Sequence, residues 1–138
     1  MRRLLLISLL NLACAVNALE SPDDLPIAYS EADLLPIRSP SLRPGPVETR
    51  AVSLPGITAL FLIGDDPRSH AWLQQRLPHL RRLGAAGLVV NVESAAALQT
   101  LRERAPGLTL SPVPGDDLAQ RLGLNHYPLL ITATAIEQ

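Results

Sequence analysis

The chain has 138 residues, 47% of them hydrophobic and 3% aromatic, with a formal charge of -1. Balanced charge, no basic block after Arg3 and few rings exclude a phosphate-tracking or base-stacking nucleic-acid binder. The length suits one small domain plus a short extra segment, and twelve arginines with no lysine reflect composition rather than mechanism.

Residues 1–18 read as an export signal. Arg2 and Arg3 give the positive start, Leu4 to Leu10 is almost all apolar, and Ala13-Cys14-Ala15 and Val16-Asn17-Ala18 offer small residues for cleavage. The apolar run is too short for a stable membrane anchor, so cleavage after Ala18 leaves no span. Asn11 stands where a lipidation motif wants leucine, so attachment of lipid through Cys14 is not expected. Cys14 is the sole cysteine, and its removal leaves a mature chain with no disulfide, thiolate metal site or thiol nucleophile.

Residues 19–51 read as a Pro-rich extended arm. Seven prolines fall between residues 19 and 57: Pro22, Pro26, Pro36, Pro40, Pro44, Pro46 and Pro55. Each lacks an N–H and biases its predecessor to extended geometry, which prevents helix and sheet interior. Leu25, Ile27, Tyr29, Leu34, Leu35 and Ile37 are spaced through it. They fit a solvated linker or a segment that docks on a partner or on the domain itself.

Residues 52–138 form the predicted domain. Ile57 to Ile63 is a buried strand. Asp65-Asp66-Pro67 opens a helix with Leu73, Leu77 and Leu80 on one face, and Pro78 should kink it or end it early. Gly84 and Gly87 close it, and Leu88 to Val92 is the second strand. Ser94 caps a second helix with Ala97, Leu98, Leu101 and Ala105 inward, stopped by Pro106-Gly107. Leu108 to Leu110 is a short third strand. Asp116 caps a third helix that ends at Gly123. The last strand starts at Tyr127 or Pro128 and runs to Thr132. Ala133 to Gln138 is a tail or the stub of one more strand. Alternating strands and helices predict an α/β domain with a four-stranded mixed or parallel sheet.

The segment GDDLAQRLGLNHYPLLIT resembles the late helix-and-strand unit of a thioredoxin-like domain. That resemblance implies a cis bond before Pro128, with the proline facing the site where redox members carry two cysteines. Matching Pro78 to the kinking proline of such domains puts His70 and Leu73 at the two cysteine positions, where neither forms a disulfide. His70 has no Ser, Thr or Cys nucleophile placed beside it by sequence and reads as a solvent-facing histidine. Asp65-Asp66 and Asp116-Asp117 read as helix caps rather than acid/base pairs, because adjacent residues do not share a helix face. His70, His79 and His126 lack metal-ligand spacing, so neither a metal nor another cofactor is expected. Trp72 packs at the core edge or lies near the vacant site. Tyr127-Pro128 either ends the helix exit or meets an extended partner chain. The candidate partner-binding residues are therefore His70, Trp72, His126, Tyr127 and Pro128.

GAAGLVVNVES, PVPGDDLAQRLGL and HYPLLIT, taken together, resemble a domain-of-unknown-function family of integrating conjugative element proteins. That family is similar, more distantly, to thioredoxin-like pilus-assembly proteins of F-type conjugation. The resemblance implies a periplasmic accessory of a conjugative type IV secretion apparatus in a Gram-negative bacterium, with other apparatus proteins as partners. It carries over no catalytic residue. The leading expectation is a non-catalytic interaction protein. The alternatives are a periplasmic thiol oxidoreductase relative, disfavoured by the missing thiols, and a chaperone-like or ligand-binding module using the groove beside Pro128.

Overall fold

The computed structural model describes residues 30–138; the expected export signal, Cys14 and residues 19–29 of the arm lie outside the described residues. The apolar run at the start of the predicted domain forms β3 (Leu60–Gly64), shorter at its front than expected. It pairs in parallel with β4 (Ala86–Asn91) and antiparallel with β7 (Leu129–Ile131). A strand paired on both edges and covered on both faces needs apolar side chains throughout. Phe61 and Ile63 enter one core cluster, while Leu62 enters the other. The first cluster takes Trp72, Leu73 and Leu80 from α1 (Pro67–Leu83) and Leu98 and Leu101 from α2 (Ala95–Arg104). The second takes Ala119 from α3 (Asp116–Leu122), on the opposite face of the sheet.

The α/β class with mixed strand directions stands, but the sheet has six strands rather than four. Beyond β4 lies the parallel β5 (Leu110–Pro112), two residues later than expected. Beyond β7 lies β8 (Ala135–Glu137), so the predicted stub is a paired strand. β2 (Arg50–Ala51) then closes that edge, giving the order β2-β8-β7-β3-β4-β5. Strands of two or three residues are too short to show a period of two, which is why the sequence hides them. A separate two-stranded pair joins β1 (Arg43–Pro44) in parallel to β6 (His126–Tyr127).

The helix ends follow sequence chemistry with three corrections. Asp66 accepts from Ser69 N at 2.9 Å and Ser94 accepts from Ala97 N at 3.1 Å, so both are side-chain caps. Gly84 and Gly123 end α1 and α3 with positive φ of 59° and 64°. Pro78 does not end α1, which runs on to Leu83. It lies exposed, as does Gln74, so the carbonyl deprived of its donor faces water. Asp116 is not the cap of α3; Gly115 holds that place. The Asp116 carboxylate is taken instead by the arm, accepting from Ser41 N at 2.9 Å. Gly87, expected after the helix, lies inside β4, where a Cβ would fall 2.5 Å from Phe61 Cζ.

The described part of the arm packs on the domain. Its prolines alternate with donors that the domain satisfies one at a time. Ile37 N donates to Val92 O at 2.9 Å, Arg43 N to Asn125 O at 3.2 Å and Gly45 N to Tyr127 O at 3.1 Å. Ile37 belongs to the first core cluster and Leu42 to the second, so the arm crosses the C-terminal end of β4 from one face to the other. At its start, the 3-10 turn Glu31–Leu34 is tied to α2 by an Arg102–Glu31 ion pair. The hydrogen bond from Arg102 holds the Glu31 carboxyl below its ordinary pKa.

Candidate functional site

The C-terminal ends of β3 and β4 meet the start of α1, the β6 strand and the arm. Parallel strands turn their carboxyl ends outward into such a crevice, which is where open α/β sheets place ligands. Gly64 ends β3, and a Cβ there would lie 2.6 Å from Tyr127 Cε2, so glycine lets the Tyr127 ring lie against the backbone. Tyr127 is 3% exposed. Burial raises its phenol pKa above the ordinary value, opposed by the hydrogen bond from Asn91 and reinforced by the Asp66 carboxylate.

Asn91, at the end of β4, is the hub. Its Nδ2 donates to Tyr127 Oη at 3.1 Å and to Leu42 O at 3.4 Å, and its Oδ1 accepts from Ser39 N at 2.7 Å. The buried Ser39 hydroxyl donates to Val90 O at 2.6 Å and accepts from Gly115 N at 2.7 Å. A fully connected buried polar network of this kind fixes one arrangement of the segments it joins.

Beside it, the start of α1 carries Asp66 and Ser69. The Ser69 hydroxyl donates to Asp66 Oδ1 at 2.7 Å and accepts from Gly64 N at 3.0 Å. Ser69 is fully buried, so its oxygen is used on both sides and closed to a substrate. Leu73, one of the two positions matched to cysteine, is 0% exposed inside the core and lines no surface. Asp66 and Ser69, one turn earlier, hold the helix start with two residues between them.

The five candidate residues do not form one constellation. The bond before Pro128 is cis, as the resemblance implied. Pro128 and Trp72 share a groove of about 380 Å³ with Arg68, Gln75, Arg76 and Gln138. Trp72 is 7% exposed, with its ring 6.1 Å from that of Phe61, so packing rather than display dominates. Its Nε1 has no partner among the described residues. His70 faces another cleft between α1 and α2, with Thr100 and Arg104, and its Nε2 meets Asp65 Oδ1 at 3.0 Å. Side-chain exposure of 16% makes His70 less open than a solvent-facing reading allows. His126 and Tyr127 lie under β1, and their strand edge is occupied.

Residues 11–136 match a family described as Protein of unknown function (DUF2859). The chain belongs to this family. No curated protein and no solved structure matches the chain. The match takes in the arm as well as the domain. In this DUF2859 chain the two are one unit, because Ile37, Ser39 and Leu42 complete the core and the hub. Sequence reasoning missed Ser39, Asn91, Ser69 and Gln138, whose roles exist only once distant segments meet. Gln138 Nε2 donates to both Gly45 O at 2.9 Å and Pro128 O at 3.0 Å.

Proposed function

We propose that the chain is a non-catalytic periplasmic accessory protein of the conjugative type IV secretion apparatus of an integrating conjugative element, acting by protein–protein contact. Its domain is read as thioredoxin-like. That reading is supported by the succession β3-α1-β4, then α3, then the antiparallel pair β7-β8, with Pro128 facing α1 across the groove. The apolar run behind Arg2-Arg3 supports export. Family membership and the segments GAAGLVVNVES and PVPGDDLAQRLGL support the link to conjugative elements.

The observation that carries the reading is the start of α1. Where redox relatives of such a fold hold two cysteines, Asp66 and Ser69 stand hydrogen-bonded to each other. The sequence offers no thiol after Cys14, so exchange through a mixed disulfide has no attacking group. A fold that keeps its groove and lacks the chemistry is a scaffold for contact.

In a disulfide-reduction assay the mature chain should match the buffer control. Affinity purification from cells carrying a transferring element should retrieve apparatus proteins with it. Turnover that persists after contaminating oxidoreductases are removed would contradict the first half, and purification of the chain alone would contradict the second. A chaperone-like binding module is a second reading, favoured by one observation: the β6 edge already holds an extended segment, β1.

A further inference from the structure

We infer that the flank of α1 carrying Arg68, Trp72 and Arg76 is the docking site for an extended acidic segment of a partner protein. This rests on the reading of the domain as a contact module and names the chemistry of what it contacts. Between Pro67 and Leu83, α1 holds four arginines and no aspartate or glutamate. Among the described residues, none of the four is ion-paired to a carboxylate side chain.

Two of them, Arg68 and Arg76, line the groove of about 380 Å³ that Trp72 and Pro128 share. No acidic side chain lines it among the described residues. Positions 68, 72 and 76 are spaced by four, so they stand in one row along the helix. Among the described residues only Gln138 bonds the two guanidinium groups. Arg68 donates to its Oε1 at 3.5 Å, too long for a strong bond, and Arg76 donates to its backbone oxygen. Glu137 opposes Leu130, a member of the first core cluster, so it shares the α1 face of the sheet, yet it pairs with neither arginine.

The indole between the arginines is a separate observation. Trp72 is 7% exposed, and its Nε1 has no partner among the described residues. Buried donors are nearly always bonded, so an unpartnered one in the wall of a groove marks a missing acceptor. A carboxylate accepts from a guanidinium in a charge-assisted bond and has lone pairs left for the indole N–H.

Helix geometry sets the spacing of the acids. Eight residues along α1 separate Arg68 from Arg76 by about 12 Å. An extended chain covers that in three or four residues, at about 3.3 Å each. The partner segment therefore presents two acidic residues three or four positions apart. A bilayer with anionic headgroups would meet the outward face of α1, whereas a chain can enter the groove and reach Trp72.

The test titrates the full chain into a fluorescein-labelled peptide, Thr-Glu-Thr-Ser-Thr-Glu-Thr, and follows anisotropy at low salt. The same peptide with both glutamates replaced by glutamine should not bind. Arg68→Gln should weaken binding at least fivefold, and Arg68→Gln with Arg76→Gln at least twentyfold. Arg104→Gln, which removes the same charge from α2, should leave it unchanged. Arg68 is exposed, so Arg68→Gln alone carries the test if the double variant loses its cooperative melt. Trp72 is the sole tryptophan, so its emission should shift when the unlabelled acidic peptide saturates the chain. No binding of the acidic peptide, equal weakening by Arg68→Gln and Arg104→Gln, or capture by phosphatidylglycerol vesicles without capture of the peptide would each overturn the inference. Purified chain and synthetic peptide suffice, so failure here leaves co-purification with the apparatus standing, and the reverse also holds.

Discussion

Phe61→Ala should lower the unfolding free energy by about 3–5 kcal/mol, the range for a large buried ring cut back to a methyl. Phe61 is 0% exposed in the middle of β3. Its ring meets the Trp72 ring at 6.1 Å, which ties α1 to the sheet. On the other side it lies over Gly87, where a Cβ would be only 2.5 Å from Phe61 Cζ. Glycine supplies no side chain to fall into the space left behind, so the cavity collapses poorly and the cost lies toward the upper end. For a domain of this size the melting temperature should drop by more than about 10 °C. Urea unfolding with an unchanged slope measures it. A loss below about 1 kcal/mol would mean that β3 is not the centre of the core.

Asn91→Ala should cost about 1–3 kcal/mol, because it strands the Ser39 N–H and removes the donor to the Tyr127 hydroxyl. Its local effect should exceed its global one. Ser39 and Leu42 both bond this side chain at the end of β4, beside the bond of the Ser39 hydroxyl to Val90 O. Amide protection should fall at Leu42, Arg43 and Gly45 while Leu62 and Val89 keep theirs. Asn91→Asp retains the acceptor for Ser39 N and loses the donors, so it should fall between the two. Arm amides that stay as protected as the core in Asn91→Ala would show that the amide hub is not what fastens the arm.

The sequence carries the class of this fold in its long elements. Leu60–Gly64 and Ala86–Asn91 are apolar enough to read as buried strands, and the Asp66-Pro67 start of α1 and the Ser94 cap of α2 are local chemistry that needs no tertiary context. Elements whose reason lies elsewhere in the chain are hidden. β1 and β2 are two residues each inside a proline-rich stretch, and they form because the edges at His126–Tyr127 and Ala135–Glu137 wait for them. Pro78 misled because its effect depends on which face it occupies, and a single position in sequence does not say.

The candidate site was legible only as a neighbourhood. Tyr127 and Pro128 mark it from sequence alone, through the glycine exit of α3 and the proline that opens β7. Asn91 carries no local signal, since an asparagine at a strand end is ordinary in isolation. Its meaning comes from three partners: Ser39, Leu42 and Tyr127.

The central claim is that the chain serves conjugation by contact and not by catalysis, and the frequency of element transfer between cells tests it most directly. Deleting the gene should lower transfer at least a hundredfold. Restoring it with Ser69→Ala, which removes the only hydroxyl at the start of α1, should recover the frequency. Transfer unaffected by the deletion, or a folded Ser69→Ala chain that fails to restore it, would contradict the account.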